Sequence, residues 1–213
     1  MRDLSPMLQD VEKYYSEKLA AFGRSPQGAD WNSAESQAMR FAQLLRLLNT
    51  DEHFSVNDYG CGYGALVEYM QLHKYTFDYH GYDISRHMIS EAESAHARTP
   101  HCEFFCEKAR LSVADYTVAS GIFNVRLGTK DSAWLQYIVE VLNEFKALSR
   151  KAFAFNALTK YADAGRMRPD LYYADPFALF DYCKTHFSPY VSLLHDYKLY
   201  EFTIVVKLSG SVD

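Results

Sequence analysis

A chain of 213 residues with 48% hydrophobic side chains is long enough to bury one sizeable core. Its 22 Lys and Arg against 27 Asp and Glu leave a formal charge of −5 with no cationic run, which argues against nucleic acid as a substrate and mildly against anionic membrane surfaces. No apolar stretch approaches the ~20 residues of a membrane span and the opening M-R-D-L-S-P lacks the apolar core of a signal peptide; with no C-x-x-C pair among Cys61, Cys102, Cys106 and Cys183, a cytoplasmic protein with reduced thiols and no metal site is expected.

Two helical stretches come first. Leu4, Leu8, Val11, Tyr15, Leu19 and Phe22 keep helical spacing behind Ser5-Pro6. Ala38, Phe41, Leu45 and Leu48 keep it again behind Asn32, with Glu35 three residues on as a capping-box partner. The loop G-R-S-P-Q-G lies between them. Trp31, at the head of the second helix, serves either to anchor the helix start or to face a ligand.

Phe54, Val56 and Tyr59 then read as a buried strand, and Ala65 to His73 as a helix. Between them, D-Y-G-C-G-Y-G places glycine at 60, 62 and 64, a turn tight enough for backbone to approach a ligand at the carboxyl end of a strand. A dinucleotide site wants G-x-G-x-x-G so that a pyrophosphate rests on the helix N-terminus; here the register is G-x-G-x-G with Asp58 two residues earlier. The next strand, Phe77 to Asp83, ends in a carboxylate 23 residues after Gly60, the length of one strand–helix–strand unit. Asp83 is placed to accept both hydroxyls of a ribose, or else caps the helix behind Ser85.

Cys102 to Cys106 reads as a third strand followed by Glu107, and Asp115 to Asn124 contains a fourth that ends at the small residues Ser120 and Gly121. An amphipathic helix carries Trp134, Ile138, Val141, Phe145 and Leu148, and K-A-F-A-F-N (151–156) reads as the fifth strand. Residues 158–174 are irregular, Asp175-Pro176 opens another helix, and Tyr190–Leu194 and Tyr200–Leu208 form two strands joined by a hairpin at H-D-Y-K. A nicotinamide-type sheet would continue parallel through another helix instead.

D-Y-G-C-G-Y-G resembles the first motif of the class I S-adenosylmethionine-dependent methyltransferases, and the likeness extends over residues 50–208. W-N-S near the start and L-Y-E-F-T-I-V near the end are similar to a bacterial subfamily of these enzymes, which names no substrate. The resemblance implies an α/β, Rossmann-like three-layer sandwich: a seven-stranded, mostly parallel sheet with its last strand antiparallel. Residues 1–50 would be an N-terminal helical cap and 51–208 the methyltransferase domain of one single-domain protein.

S-adenosylmethionine is the implied cofactor and a small molecule the implied acceptor. Asp58 would lie near the methionyl end, with Gly60, Cys61, Gly62 and Gly64 forming the turn. Asp83 and Ile84 would meet the ribose and adenine, and Glu107 the adenine amino group, unless it is a solvated loop acid. Ser120 and Gly121 would pass beneath the cofactor, and Trp31 would close over it. No Pro-Pro marks an amide- or adenine-directed nucleic-acid enzyme, and no Pro-Cys marks a cytosine C5 enzyme. A general base is needed only if the attacking atom must lose a proton. His195 with Asp196 is the candidate pair, with turn capping as its alternative; Tyr172, Tyr173, Asn124 and Asn156 are candidates for orienting the substrate. Two other readings stay open: a nicotinamide- or nucleotide-binding oxidoreductase or epimerase on a related doubly wound fold, and a cofactor-binding protein without catalysis.

Overall fold

A computed structural model describes residues 5–46, 48, 49 and 51–208; Leu4 of the first stripe lies outside them. Seven strands form one sheet: β1 (Phe54–Tyr59), β2 (Phe77–Tyr82), β3 (Cys102–Phe105), β4 (Ala114–Ala119), β5 (Ser149–Leu158), β6 (Tyr190–Leu194) and β7 (Glu201–Lys207). Their order is β3-β2-β1-β4-β5-β7-β6. β1 pairs in parallel with β2 and β4, as do β2 with β3 and β4 with β5, whereas β7 is antiparallel to both β5 and β6. Only the last strand therefore runs against the other six, as expected.

Helices cover both faces. α2 (Ala34–Leu45), α3 (Ala65–Leu72) and α4 (Arg86–His96) lie on one, where Phe41, Leu44, Val67, Met70 and Ile89 pack with Val56, Tyr79 and Val118. α5 (Asp131–Leu148) and α6 (Pro176–His186) cover the other, where Trp134, Ile138, Phe145 and Leu179 pack with Phe153 and Phe155. α1 (Ser5–Phe22) adds Val11 to this second core and, with the turn Gln27–Ala29, projects past the carboxyl ends of the strands.

Three local expectations are corrected. The second helix is capped by Ser33, not Asn32: its hydroxyl accepts from the Ser36 amide while the Ser36 hydroxyl accepts from the Ser33 amide, and Glu35 takes no part in that box. The buried residues of α2 are Gln37, Arg40, Phe41, Leu44 and Leu45, while Ala38 of the expected stripe is only half-buried, and Phe41, Leu44 and Leu45 pack into the first core. The last two strands are joined by six residues, His195–Tyr200, and not by H-D-Y-K alone.

Candidate active site

The turn after β1 is tied to the neighbouring strand end. Gly60 and Cys61 both donate their amides to the Tyr82 carbonyl, at 2.7 and 3.0 Å. The Gly62 amide donates to one Asp83 oxygen at 2.9 Å, and the Ser85 amide to the other at 2.8 Å. Gly62 has φ +54°, and a Cβ built there would meet no atom nearer than the Met88 sulfur at 3.9 Å. That position faces open space, so its glycine serves the backbone conformation and the approach of a ligand rather than internal packing. The helix-cap reading of Asp83 gives way: α4 is capped by the Ser85 hydroxyl, which accepts from the Met88 amide.

Asp58 is almost wholly buried, and one of its oxygens accepts from the Tyr79 hydroxyl at 2.6 Å. Burial pushes its pKa up to about 7; the Tyr79 hydrogen bond opposes this and the Asp83 charge adds to it. Burial likewise lifts Asp83 to about 6, against the pull of the two amides it accepts from. Two carboxylates short of water in one cleft favour a cation. An amine and a sulfonium suit Asp58, while a pyrophosphate would meet like charge there. Each Asp83 oxygen retains a lone pair for a ribose hydroxyl beside the amide it already binds.

These groups open into a cleft of about 860 Å³, counting the part open to solvent, within the range of small-ligand sites. Asp58, Gly60, Cys61, Gly62, Asp83, Ile84, Ser120, Gly121 and Trp31 all line it. Two expected contacts do not. Gly64 is the N-cap of α3, where its carbonyl faces Nε2 of His96 at 3.1 Å and a Cβ would strike the His96 ring. Glu107 is exposed and points toward Arg86 at 3.8 Å.

The expected catalytic residues also lie outside the cleft. β6 is the edge strand, so the His195–Tyr200 loop joins the strands that lie four and three places from β1. Asp196 pairs with Arg46 at 3.1 Å, and the His195 ring packs near Tyr161 and Phe202, so the two form no base with its orienting partner. The Tyr172 amide donates to the Asn124 carbonyl, and its side chain lines a separate small depression beside Arg126. Asn156 is buried and accepts from the Gly121 amide at 2.7 Å, and Asn124 accepts from the Leu158 amide. Both asparagines shape the loop after β4.

Leu8, Val11 and Tyr15, three residues of the first helical stripe, face the cleft from α1, and Tyr82 of β2 and Tyr137 of α5 also line it. What sequence reasoning missed is the support of Trp31. Trp31 lies so closely on Gly121 that any Cβ there would overlap the indole. Arg40 stacks over that indole, 4.0 Å from the ring centre, and is fixed by the buried Glu201 through its Nε (2.9 and 3.0 Å) and Nη2 (2.6 Å). An arginine beside Phe41 on an otherwise apolar stripe was the only available signal, since its partner lies 161 residues away. A second cavity, about 1170 Å³ with its open part, adjoins the first and shares Tyr15, Ala29 and Trp31 with it.

Residues 56–148 match the methyltransferase domain family. A protein of Mycobacterium tuberculosis (strain ATCC 25618 / H37Rv) named "Putative methyltransferase Rv1506c" is 49% identical over 163 residues, which cover 76% of this chain and 98% of that protein. Magnesium protoporphyrin IX methyltransferase (ChlM) from Synechocystis PCC 6803, in a crystal structure with bound SAH, has the same fold at a TM-score of 0.60 and 17% identity, over 82% of this chain and 83% of that one. The DhpI-SAM-HEP complex matches at 0.63 with 14% identity, over 93% and 96%.

Proposed function

Since the chain belongs to the class I S-adenosylmethionine-dependent methyltransferases, we propose that it methylates a small molecule held in the cavity that adjoins the cofactor cleft at Trp31. The observation that carries this reading is the convergence of Asp58, the Gly62 amide and Asp83 on one cleft, with a second cavity sharing its Trp31 wall. The cofactor supplies a methyl made electrophilic by its sulfonium. Asp58 is assigned to the cationic methionyl end, Asp83 to the ribose and Ile84 to the adenine edge, while Ser120 and Gly121 form the floor. Trp31 and α1 exclude water, and holding the two reactants in line supplies roughly 7–11 kcal/mol of such a barrier. With His195 and Asp196 outside the cleft, alignment rather than that pair carries the transfer.

The second cavity also favours catalysis over mere cofactor binding, since a binding protein has no use for an acceptor chamber beside the methyl. The reading includes a cytoplasmic protein that does not act on nucleic acid. Four cysteines that are all free thiols support the first point and the net charge of −5 the second; among the described residues no helix is long and apolar enough to cross a membrane. Residues 5–31 then act as the cap, with α2 part of the sandwich.

Calorimetry with S-adenosylmethionine, S-adenosylhomocysteine and NAD tests the assignment. Micromolar binding of the first two, lost when a bulky residue replaces Gly62, is expected. Heat with NAD alone would sink it.

A further inference from the structure

The second cavity is electrically unlike the rest of the protein. Its ionisable lining is Arg40, Arg166, Arg168 and Lys198 against Asp30 and Glu201, a formal +2 in a chain of −5. Both acids are already engaged. Glu201 is held by Arg40, and Asp30 receives Lys18 at 2.8 Å, Arg168 at 3.2 Å and the Tyr14 hydroxyl at 2.7 Å. Two cations have little or no partner. Arg166 grazes Asp163 at 4.0 Å and lies 5.8 Å from the centre of the Tyr200 ring, and Lys198 makes no hydrogen bond or ion pair with any described residue. The Tyr173 hydroxyl accepts from the Arg168 amide, which leaves its own hydrogen for a ligand. Loosely paired cations in a concave, partly enclosed site favour an anion more than the same groups would on a convex surface.

Resting on the methyltransferase reading, we infer that the acceptor bears a carboxylate or phosphoryl group. Lys198 and Arg166 hold that group at the mouth of the cavity, and the end to be methylated lies against Trp31. The anion and the reacting atom are thus at opposite ends of the acceptor, with the reacting atom reaching past the edge of Trp31 to meet the methyl directly.

The test uses the full chain saturated with S-adenosylhomocysteine. Acetate and inorganic phosphate are titrated at constant ionic strength against chloride, and binding is followed by amide chemical shifts. Acetate or phosphate should move amides in 159–174 and 195–201 beyond what chloride does, and the stronger of the two identifies the group. Lys198→Ala and Arg166→Ala should each weaken that binding by about tenfold, with affinity for S-adenosylhomocysteine unchanged. Responses no larger than with chloride, or a double variant that binds as tightly as the parent, overturn the inference while cofactor binding stands. Failure of S-adenosylhomocysteine to bind at all overturns the methyltransferase reading and this inference with it.

Discussion

Replacing Asp58 by Asn should stabilise the cofactor-free protein at pH 8 and destabilise it at pH 4. Burial moves this carboxyl from 3.8 to about 7. For an acid raised in the folded state, the native chain holds more protons than the unfolded one between those values. Stability is therefore full below about 4, declines as pH rises, and levels off above about 7. A shift of some three units corresponds to about 4 kcal/mol at pH 8. Asn keeps an oxygen for the Tyr79 hydroxyl but buries amide hydrogens without a partner, at roughly 1–3 kcal/mol. The net gain at pH 8 is about 1–3 kcal/mol, or roughly 2–10 °C in Tm for a chain of this size. The loss at pH 4 should be the uncompensated amide cost. Urea denaturation of both proteins from pH 4 to 8 measures this directly. Calorimetry should show the reverse for S-adenosylmethionine: affinity of the parent falls toward tenfold per unit below pH 7, because a cation binds the ionised carboxylate, and the variant binds weakly without that slope. A difference in stability that does not change with pH would refute the reasoning.

Asp83→Ala should weaken S-adenosylhomocysteine binding by tenfold or more and, by freeing the Gly62 and Ser85 amides, lower stability by about 1–3 kcal/mol, read by calorimetry and denaturation. Glu107→Ala should leave cofactor affinity within about twofold, because that carboxylate is exposed and lies outside the cleft; a tenfold loss would return it to the adenine. Glu201→Gln leaves a buried guanidinium without its charge partner and should cost about 3–5 kcal/mol, whereas replacing both Arg40 and Glu201 by methionine should recover most of it. Bound S-adenosylhomocysteine should slow hydrogen exchange in residues 14–31 more than in 34–45; equal protection of both segments would show that α1 and Trp31 are no more a lid than α2 is.

The glycine turn, the position of Asp83 and the reversal of the last strand were legible because each rests on short-range spacing: G-x-G-x-G between a strand and a helix, a carboxylate one strand–helix–strand unit later, and a final connection too short for a crossover. That Glu107, His195 and Asp196 do not line the cleft was not legible, because sequence locates them at strand ends without saying toward which side they turn or how far their strand lies from β1. Ser33 and Asn32 are both good caps one residue apart, and only the reciprocal Ser36 bond chooses between them. The Arg40–Glu201 contact joins residues 161 apart in the chain, which periodicity does not encode.

β7 is the last of the seven strands in sequence, yet it fills an interior slot between β5 and β6, and Glu201 to Val206 are all buried. During synthesis every earlier element emerges while that slot is open. Until β7 arrives, β5 and β6 present unpaired edges to other nascent chains, which makes this interval the one most exposed to aggregation. Glu201 arrives on the same strand, so the indole beside the methyl route is not pinned by Arg40 until the sheet closes. An incompletely synthesised chain thus has a glycine turn but a loose acceptor chamber, and competence is coupled to completion of the sheet.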